Sequence, residues 1–240
     1  MTATSVKKLS VKIYADGADL AGMQKLYRHP LIKGFTTNPT LMRKAGVSDY
    51  QAFAVELLRA IPDRPISFEV FSDEFDGMKR QAHKIATWGS NVYVKIPVTN
   101  TRRESSIALI RDLVEAGIKV NVTAMMTLDQ VSDVSAALAG GPPAFVSIFA
   151  GRIADTGRDP VPLMAAAVEL VQPYPNVELI WASPRELLNV FQADAIGCHI
   201  ITATNDILAK LNLVGKDLKE YSLETVRMFR DDAVKANYAL

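Results

Sequence analysis

A lysine stands in the middle of an otherwise apolar segment, "SNVYVKIPVTN", at residues 90–100. Lys95 is flanked by β-branched and aromatic residues, a composition typical of a buried strand. Burial removes solvation from an ammonium group and favours the neutral amine, which attacks carbonyl carbons to form a Schiff base. Lys95 is therefore a candidate nucleophile for making or breaking carbon–carbon bonds. A lysine that snorkels from a strand end, or pairs with a carboxylate, would have similar surroundings.

Schiff-base chemistry also needs groups that move protons and hold substrate hydroxyls. Asp16, Glu69 and Thr123 are the candidates for proton handling, and Asn38 is a candidate for holding a hydroxyl. Each has an ordinary structural alternative. Asp16 and Asn38 precede a glycine and a proline, as turn residues do, while Glu69 could be an ion-pair partner and Thr123 a strand residue. Only their convergence at one place would indicate a catalytic site.

Eight short segments have the composition of strands, and segments with helical spacing separate them. The predicted strands are residues 12–16, 34–38, 66–70, 92–97, 119–124, 145–150, 177–182 and 198–204. Residues 73–89 show the helical spacing well, and residues 103–117 have the same design. Strands that alternate with helices, without a linker, favour parallel β/α units. We predict an α/β fold, a single (β/α)8 TIM barrel, with an open doubly wound sheet as the alternative.

The predicted domain spans residues 1–240. Its last segment, residues 222–240, has an apolar stripe typical of an additional C-terminal helix. Such a helix is free to cover the barrel or to contact another subunit.

The strand period of two places polar residues together on one face of these segments. In a closed barrel that face points to the axis, and the polar groups near the C-terminal strand ends meet at the mouth, where active sites of such barrels lie. The residue pairs that share this face are Tyr14 with Asp16, Thr36 with Asn38, Ser67 with Glu69, Tyr93 with Lys95, Asn121 with Thr123, and Ser147 with Phe149.

The composition narrows the class of partner. The 240 residues carry a formal net charge of +1, so we expect small-molecule partners rather than nucleic acid or a membrane. Cys198 is the only cysteine, and the three histidines are scattered, so we expect no disulfide framework and no metal. No Gly-x-Gly-x-x-Gly motif follows the first strand, which weakens the interpretation as a nucleotide-binding protein. No segment approaches the roughly 20 apolar residues of a membrane span, which predicts a cytoplasmic protein.

The motifs, in their order, resemble those of the short-chain transaldolases, members of the class I aldolase group that also includes fructose-6-phosphate aldolase. The resemblance covers nearly the whole chain, and "VKIPVT" and "TTNPT" are its most specific parts. The other motifs are "SFEVFSDE", "NVTAMMT", "SIFAGRIADTG", "WASPRE" and "SLETVRMFRDDAV". The resemblance implies that Lys95 is the Schiff-base lysine, that Asp16 is the general acid/base, and that Glu69 and Thr123 position a catalytic water.

The resemblance also implies the substrate contacts. Asn38 and Ser147 would bind donor hydroxyls, and Arg152, Ser183 and Arg185 would bind the substrate phosphate. Guanidinium groups suit a phosphate dianion through bidentate, charge-assisted hydrogen bonds, although both arginines could instead be ordinary surface charge. The family's members work without a cofactor and form rings, which implies a homo-oligomer, a pentamer or decamer.

Two positions separate the activities within the group. Its transaldolases carry glutamate and phenylalanine where the fructose-6-phosphate aldolases tend to have glutamine and tyrosine, and this chain has Glu69 and Phe149. The expected function is therefore that of a pentose phosphate pathway transaldolase, which transfers a dihydroxyacetone unit from a ketose phosphate to an aldose phosphate. The alternatives are an aldolase that releases free dihydroxyacetone, a transaldolase for another sugar, and a non-enzymatic binding barrel.

Overall fold

In the computed structural model, which describes residues 6–238, eight parallel strands form a closed barrel in sequence order, and β1 pairs with β8. The predicted (β/α)8 barrel is confirmed, and the open sheet is wrong. The predicted domain 1–240 and the predicted terminal helix 222–240 both include residues outside the described range. The strands are β1 Lys12–Asp16, β2 Ile32–Thr36, β3 Ile66–Glu69, β4 Val92–Pro97, β5 Val120–Met125, β6 Ala144–Ile148, β7 Val177–Trp181 and β8 Ile200–Thr204.

Strands β2 and β6 each end two residues earlier than predicted because the next helix begins there. Asn38 lies outside β2, where its side chain caps the following helix by accepting a hydrogen bond from Leu41 N. Phe149 lies outside β6 and is the residue that precedes the next helix. Both side chains therefore belong to strand-to-helix turns rather than to strands. Short turns of this kind carry the active-site residues of (β/α)8 barrels.

The helices surround the barrel. Helices α4 (Phe75–Ala86) and α5 (Ile107–Glu115) form from the two segments whose sequences have the clearest apolar stripes. Helix α5 ends before Gly117, whose φ of 75° suits a C′ glycine. The helices are α1 Leu20–Tyr27, α2 Pro39–Lys44, α3 Tyr50–Ala60, α4 Phe75–Ala86, α5 Ile107–Glu115, α6 Leu128–Leu138, α7 Ala150–Ala154, α8 Val161–Val171, α9 Leu188–Ala195, α10 Asn205–Ala209 and α11 Leu218–Lys235. Short 3₁₀ helices span Val6–Lys8 and Lys210–Leu213.

Aromatic side chains fill the barrel interior beneath the mouth. The ring of Tyr93 stacks on Phe145 with centroids 4.1 Å apart, and Tyr14 meets Phe145 edge to face at 5.9 Å. Ile180, Ala182 and Ile200 complete the buried part of this inner cluster. Tyr93 precedes Lys95 by two residues on the same face of β4, so the three rings lie one layer below the lysine. We call Tyr14, Tyr93 and Phe145 the aromatic floor.

The last helix, α11, has almost no contact with the barrel. It begins at Leu218 rather than at residue 222, because the side chain of Asp217 accepts hydrogen bonds from Lys219 N and Glu220 N and so caps it. None of its residues is buried, and Phe229 is 64% exposed. Its apolar side chains are therefore unpartnered in a single chain. Across residues 6–238, the structure has no helix with the length and apolarity that a bilayer crossing requires.

Candidate active site

A cavity of about 440 Å³ opens at the C-terminal mouth of the barrel. Nine of the ten predicted site residues line it, and they come from seven different strand ends or strand-to-helix turns. These residues are Asp16, Asn38, Glu69, Lys95, Thr123, Ser147, Phe149, Arg152 and Ser183. Arg185 is the exception, since it lines an adjoining cavity of about 280 Å³. The sequence pattern therefore predicts the location of the cavity, although the roles of these residues stay predictions.

Lys95 lies at the centre of the mouth on β4 and is only 6% exposed. Its Nζ donates a hydrogen bond to the carbonyl oxygen of Thr37 at 3.0 Å. The carboxylate of Glu69 is the other neighbour, with Oε2 at 3.6 Å from the same nitrogen. Glu69 and Lys95 are partners in the register of β3 and β4. Lys95 Nζ therefore has one hydrogen-bond acceptor, Thr37 O, and one carboxylate slightly beyond hydrogen-bond distance. The ammonium group can still donate a hydrogen bond to a further group.

Two carboxyl groups near the lysine have raised pKa values. Burial raises the pKa of Asp16, and the nearby ammonium of Lys95 and a hydrogen bond from Thr36 oppose that rise. Burial also raises the pKa of Glu69, again against the attraction of Lys95. A raised pKa brings a carboxyl group closer to the range in which it can serve as both a general acid and a general base. The mouth thus has two acid/base candidates beside one amine.

A row of hydroxyl groups supports Asp16 from below. Thr36 Oγ1 donates to Asp16 Oδ1 at 2.8 Å and lies 2.6 Å from Thr202 Oγ1. Thr202 lines the cavity but is absent from the predicted site residues. The period of two in β8 places it on the inward face between Ile200 and Thr204, so that pattern could have found it. The row orients one carboxylate oxygen of Asp16 and leaves the other for a ligand.

Thr123 contributes a buried hydroxyl with no protein partner. Among the described residues, no group forms a hydrogen bond with its Oγ1, although the residue is 1% exposed. The next residue, Ala124, has a φ of 65°, and the pairing of β5 with β6 shifts register there. This bulge sets Thr123 and Ala124 against Ser147, and both residues line the cavity. A hydroxyl in this state suits a water molecule or a substrate oxygen.

The two residues predicted to hold hydroxyls are each fixed by one hydrogen bond. Ser147 Oγ donates to Asn121 Oδ1 at 2.7 Å, and Asn121 Nδ2 donates to Ser67 Oγ at 3.0 Å. The oxygen of Ser147 therefore remains an acceptor for a ligand. Asn38 uses its Oδ1 as the cap of α2, so its amide NH₂ remains a donor.

The arginines of the predicted phosphate site differ in their surroundings. Arg152 lines the main cavity with its guanidinium carbon 5.7 Å from the ring centroid of Phe149. Arg185 instead donates from Nε to Asp155 Oδ1 at 2.7 Å and from Nη2 to the other oxygen of that carboxylate. Ser183 lies between them and lines both cavities. The site thus has one arginine at the main cavity and a second that is already paired.

The described part of the chain holds no group of three or more histidine, cysteine, aspartate or glutamate side chains arranged to bind a metal. His199 lies next to the N-terminal end of β8, where its Nδ1 accepts a hydrogen bond from Leu179 N at 3.1 Å.

Together, the fold and the mouth define a (β/α)8-barrel protein with a buried lysine beside two carboxyl groups. The chain belongs to the transaldolase/fructose-6-phosphate aldolase family, whose model matches residues 13–240. It is 33% identical over 227 residues to a protein of Thermoanaerobacter sp. named "Probable transaldolase", covering 94% of this chain and 98% of that one. A Streptococcus agalactiae protein of the same name is 35% identical over 202 residues, with coverage of 84% and 89%.

Solved structures with the same fold are more distant in sequence. The 3-hexulose-6-phosphate synthase of Salmonella typhimurium aligns with a TM-score of 0.58 at 15% identity, covering 86% of this chain and 97% of that one. KGPDC from Streptococcus mutans aligns with a TM-score of 0.56 at 13% identity, with coverage of 83% and 90%. At these identities the similarity concerns the barrel fold alone.

Proposed function

We propose that this chain is a transaldolase, a transferase that moves a dihydroxyacetone unit from a ketose phosphate to an aldose phosphate. Sedoheptulose 7-phosphate and fructose 6-phosphate are the proposed donors, and glyceraldehyde 3-phosphate and erythrose 4-phosphate the proposed acceptors. The observation that carries the proposal is the position of Lys95 Nζ, buried in the mouth beside Glu69 and within one cavity with Asp16. Family membership supports the same activity.

The first stage is imine formation. Lys95 Nζ attacks carbon 2 of the donor, and the resulting carbinolamine loses its hydroxyl as water. Glu69 and Asp16 supply and remove the protons for this step, for which their raised pKa values suit them. The free hydroxyl of Thr123 lines the same cavity and gives the departing water a hydrogen-bond partner.

The second stage is carbon–carbon cleavage. Asp16 takes the proton of the hydroxyl on carbon 4, the bond between carbons 3 and 4 breaks, and its electron pair moves into the protonated imine to give an enamine. The aldose phosphate leaves, while the three-carbon unit stays bound to Lys95. A second aldose phosphate then accepts the enamine carbon, and the steps run in reverse to release the new ketose phosphate.

The remaining cavity residues bind the sugar chain. The amide NH₂ of Asn38 and the oxygen of Ser147 are free for donor hydroxyls. Arg152 and Ser183 line the same cavity and suit a phosphate, because a guanidinium makes charge-assisted hydrogen bonds to its oxygens. No metal or organic cofactor takes part, since the lysine imine is itself the electron sink.

The competing function is an aldolase that releases free dihydroxyacetone, and the family includes both activities. Phe149 lines the cavity and offers no hydroxyl to protonate the enamine or to activate water. We therefore infer that the enamine waits for an acceptor aldehyde. Replacing Phe149→Tyr tests this inference: we expect the variant to release more free dihydroxyacetone in the absence of acceptor.

The experiment that tests the proposed function is chemical trapping. The protein is incubated with fructose 6-phosphate, reduced with borohydride, and examined by intact and peptide mass measurement, with and without erythrose 4-phosphate. We expect a three-carbon adduct on Lys95 that erythrose 4-phosphate removes while sedoheptulose 7-phosphate forms. Lys95→Met should carry no adduct. Lys119→Met is a matched control, because Lys119 is partly exposed, donates to Ser90 O and does not line the cavity.

Either of two outcomes would contradict the proposal. A folded wild-type protein without any adduct would exclude Schiff-base chemistry on this donor. An adduct that disappears equally fast without acceptor would identify an aldolase instead.

The exposed apolar residues of α11 support assembly of this chain with copies of itself, as the resemblance implies. Val226, Met228 and Phe229 are 61%, 50% and 64% exposed, and solvent contact of three such side chains on one helix is costly. We expect Phe229→Asp to reduce the molar mass measured by light scattering, without loss of the barrel's far-ultraviolet circular dichroism. If the wild-type protein and the Phe229→Asp variant both have the molar mass of a monomer, self-assembly is excluded.

A further inference from the structure

The hydroxyl of Tyr50 binds both backbone polar groups of Glu69. Its Oη donates a hydrogen bond to Glu69 O at 2.8 Å and accepts one from Glu69 N, also at 2.8 Å. A phenolic hydroxyl has one proton to donate and lone pairs to accept, so a single atom serves the N–H and the C=O together. Tyr50 is the first residue of α3, and Glu69 is the last residue of β3. We call this pair of hydrogen bonds the Tyr50 clamp.

The clamp takes the place of a strand. β2 pairs with β3 at two positions, the second being Thr36 with Ser67, and β2 ends there. A backbone hydrogen bond from Thr37 N to Ser67 O follows at 3.2 Å, and α2 then begins. Because successive residues of a strand present their N–H and C=O to alternate edges, the backbone groups of Glu69 point to the same edge as those of Ser67. Without the hydroxyl of Tyr50 they would face a position from which β2 has already turned away.

Aromatic packing holds the ring of Tyr50 in place. Its centroid lies 6.3 Å from that of Phe68 and 5.7 Å from those of Phe71 and Trp88. The start of α3 is fixed as well, since Asp49 caps the helix. Burial raises the pKa of the Tyr50 hydroxyl, so the group keeps its proton at working pH. The hydroxyl is therefore both fixed in position and permanently able to donate.

The clamp affects the position of the Glu69 carboxylate. On the side of β4, the strand end is held by the hydrogen bond from Val70 N to Lys95 O at 3.1 Å. On the side of β2, the two hydrogen bonds to Tyr50 hold it. With both edges fixed, Glu69 Oε2 lies 3.6 Å from Lys95 Nζ inside the cavity. A strand end released on one edge would let the carboxylate move relative to the amine, and proton transfer requires a close and well-oriented pair of groups.

We propose that Tyr50 is a positioning residue for Glu69: its hydroxyl replaces β2 as the hydrogen-bond partner of the strand end, and so holds the carboxylate where it exchanges protons with the carbinolamine formed on Lys95. The inference rests on the proposed function, because that function gives Glu69 its role in imine formation. Tyr50 itself is not among the described residues that line the cavity, so its effect reaches the substrate through Glu69.

The test compares Tyr50→Phe with Tyr27→Phe. Both variants lose one phenolic oxygen and keep the ring, but the hydroxyl of Tyr27 donates to Asp63 at the exposed surface. We expect Tyr50→Phe to lower kcat and the rate of imine trapping with fructose 6-phosphate by about tenfold, a part of what a general acid/base contributes, with KM changed less than about twofold. Tyr27→Phe should keep the wild-type rates. A folded Tyr50→Phe protein that forms the imine at the wild-type rate would overturn the proposal.

A double-mutant cycle separates positioning of the carboxylate from a general loosening of the barrel. If Tyr50 acts through Glu69, adding Tyr50→Phe to Glu69→Gln should lower the rate of imine trapping by less than about twofold. An additional loss as large as the loss in the wild-type background would overturn the proposal, since the hydroxyl would then act independently of the carboxylate.

Amide hydrogen exchange tests the clamp without any substrate. The N–H of Glu69 should exchange slowly in the wild-type protein and faster by about tenfold or more in Tyr50→Phe, whereas the N–H of Val70, which bonds to Lys95 O, should change less. Unprotected exchange of the Glu69 N–H in the wild-type protein would overturn the proposal even where Tyr50→Phe does not fold. Failure of the proposed function shows differently: the wild-type protein then forms no borohydride adduct on Lys95, while hydrogen exchange still reports on the clamp.

Discussion

Replacing Asp16→Asn should make the protein more stable and far less active. Asp16 is only partly exposed, and the partial burial of its carboxyl group raises its pKa above the value of about 3.9 found in an unfolded chain. The folded state therefore holds this proton more tightly than the unfolded state does. Consequently, stability falls as the pH rises from about 4 through the raised pKa, and above that pKa the ionised side chain carries its full destabilising effect.

The size of the effect follows from how far the folded protein raises this pKa. A carboxyl whose pKa is raised by one pH unit on folding lowers the free energy of unfolding by about 1.4 kcal/mol when ionised, which changes the Tm of a chain of this length by about 3 to 6 °C. Asparagine retains an Oδ1 that can accept the hydrogen bond from Thr36, so this contact of the wild-type side chain is preserved. We expect Asp16→Asn to raise Tm at pH 8.5 and to raise it less at pH 4.5. The lost acid/base group should lower kcat by about 10² to 10⁴.

The assay is scanning calorimetry at both pH values, with Asp19→Asn as control. Asp19 is exposed and caps α1 by accepting a hydrogen bond from Gly22 N, a role that asparagine fills equally well. The Asp19→Asn variant loses the same negative charge as Asp16→Asn, but its Tm should equal that of the wild-type protein at both pH values. A lower Tm for Asp16→Asn at pH 8.5, or a gain that is the same at both pH values, would refute the reasoning that the buried charge is destabilising.

Three further predictions follow from the packing around the mouth. Thr123→Val should raise Tm, because it removes a buried hydroxyl without a protein partner, yet slow the trapping of the imine by about tenfold or more. Gly151→Ala should lower the free energy of unfolding by about 1 to 3 kcal/mol, since its Cβ would lie 1.6 Å from a backbone oxygen. Gly17→Ala is the control and should be tolerated, because its Cβ would meet only one side-chain atom, at 3.8 Å. Equal denaturation midpoints for the two variants would contradict this prediction. Burial raises the pKa of Cys198 to about 12, so iodoacetamide should not label it at pH 8 until denaturant is added, and rapid native labelling would count against its burial.

The barrel and most of its mouth could be predicted because both depend on local patterns. The alternation of apolar and polar residues along each strand is a property of five or six neighbouring residues. Closure then brings the C-terminal ends of all strands to one mouth. Lys95, Asp16 and Glu69 are found by this reasoning alone, since each is an inward residue near the end of a strand.

The remaining features depend on register and on the paths of loops. The pairing of Asp155 with Arg185 joins the residue that ends α7 to a residue between β7 and α9, 30 positions apart, and no local pattern indicates it. The bulge at Ala124 arises where β5 has one residue more than β6, a mismatch that appears only once the two strands are paired. The early start of α11 depends on a cap, Asp217, which lies outside the apolar stripe that marks the helix.

The aromatic floor has a consequence for the order of events at Lys95. Stacked rings close the barrel below the lysine, so a sugar bound there would enter and leave through the mouth above it. Under the proposed function, the aldose phosphate cleaved from the donor would occupy the space that the acceptor needs, and it would have to depart before the acceptor can arrive. Initial rates measured against both substrates should therefore give parallel double-reciprocal lines, the signature of a ping-pong sequence, with the first product competing against the acceptor for one covalently loaded form of the protein.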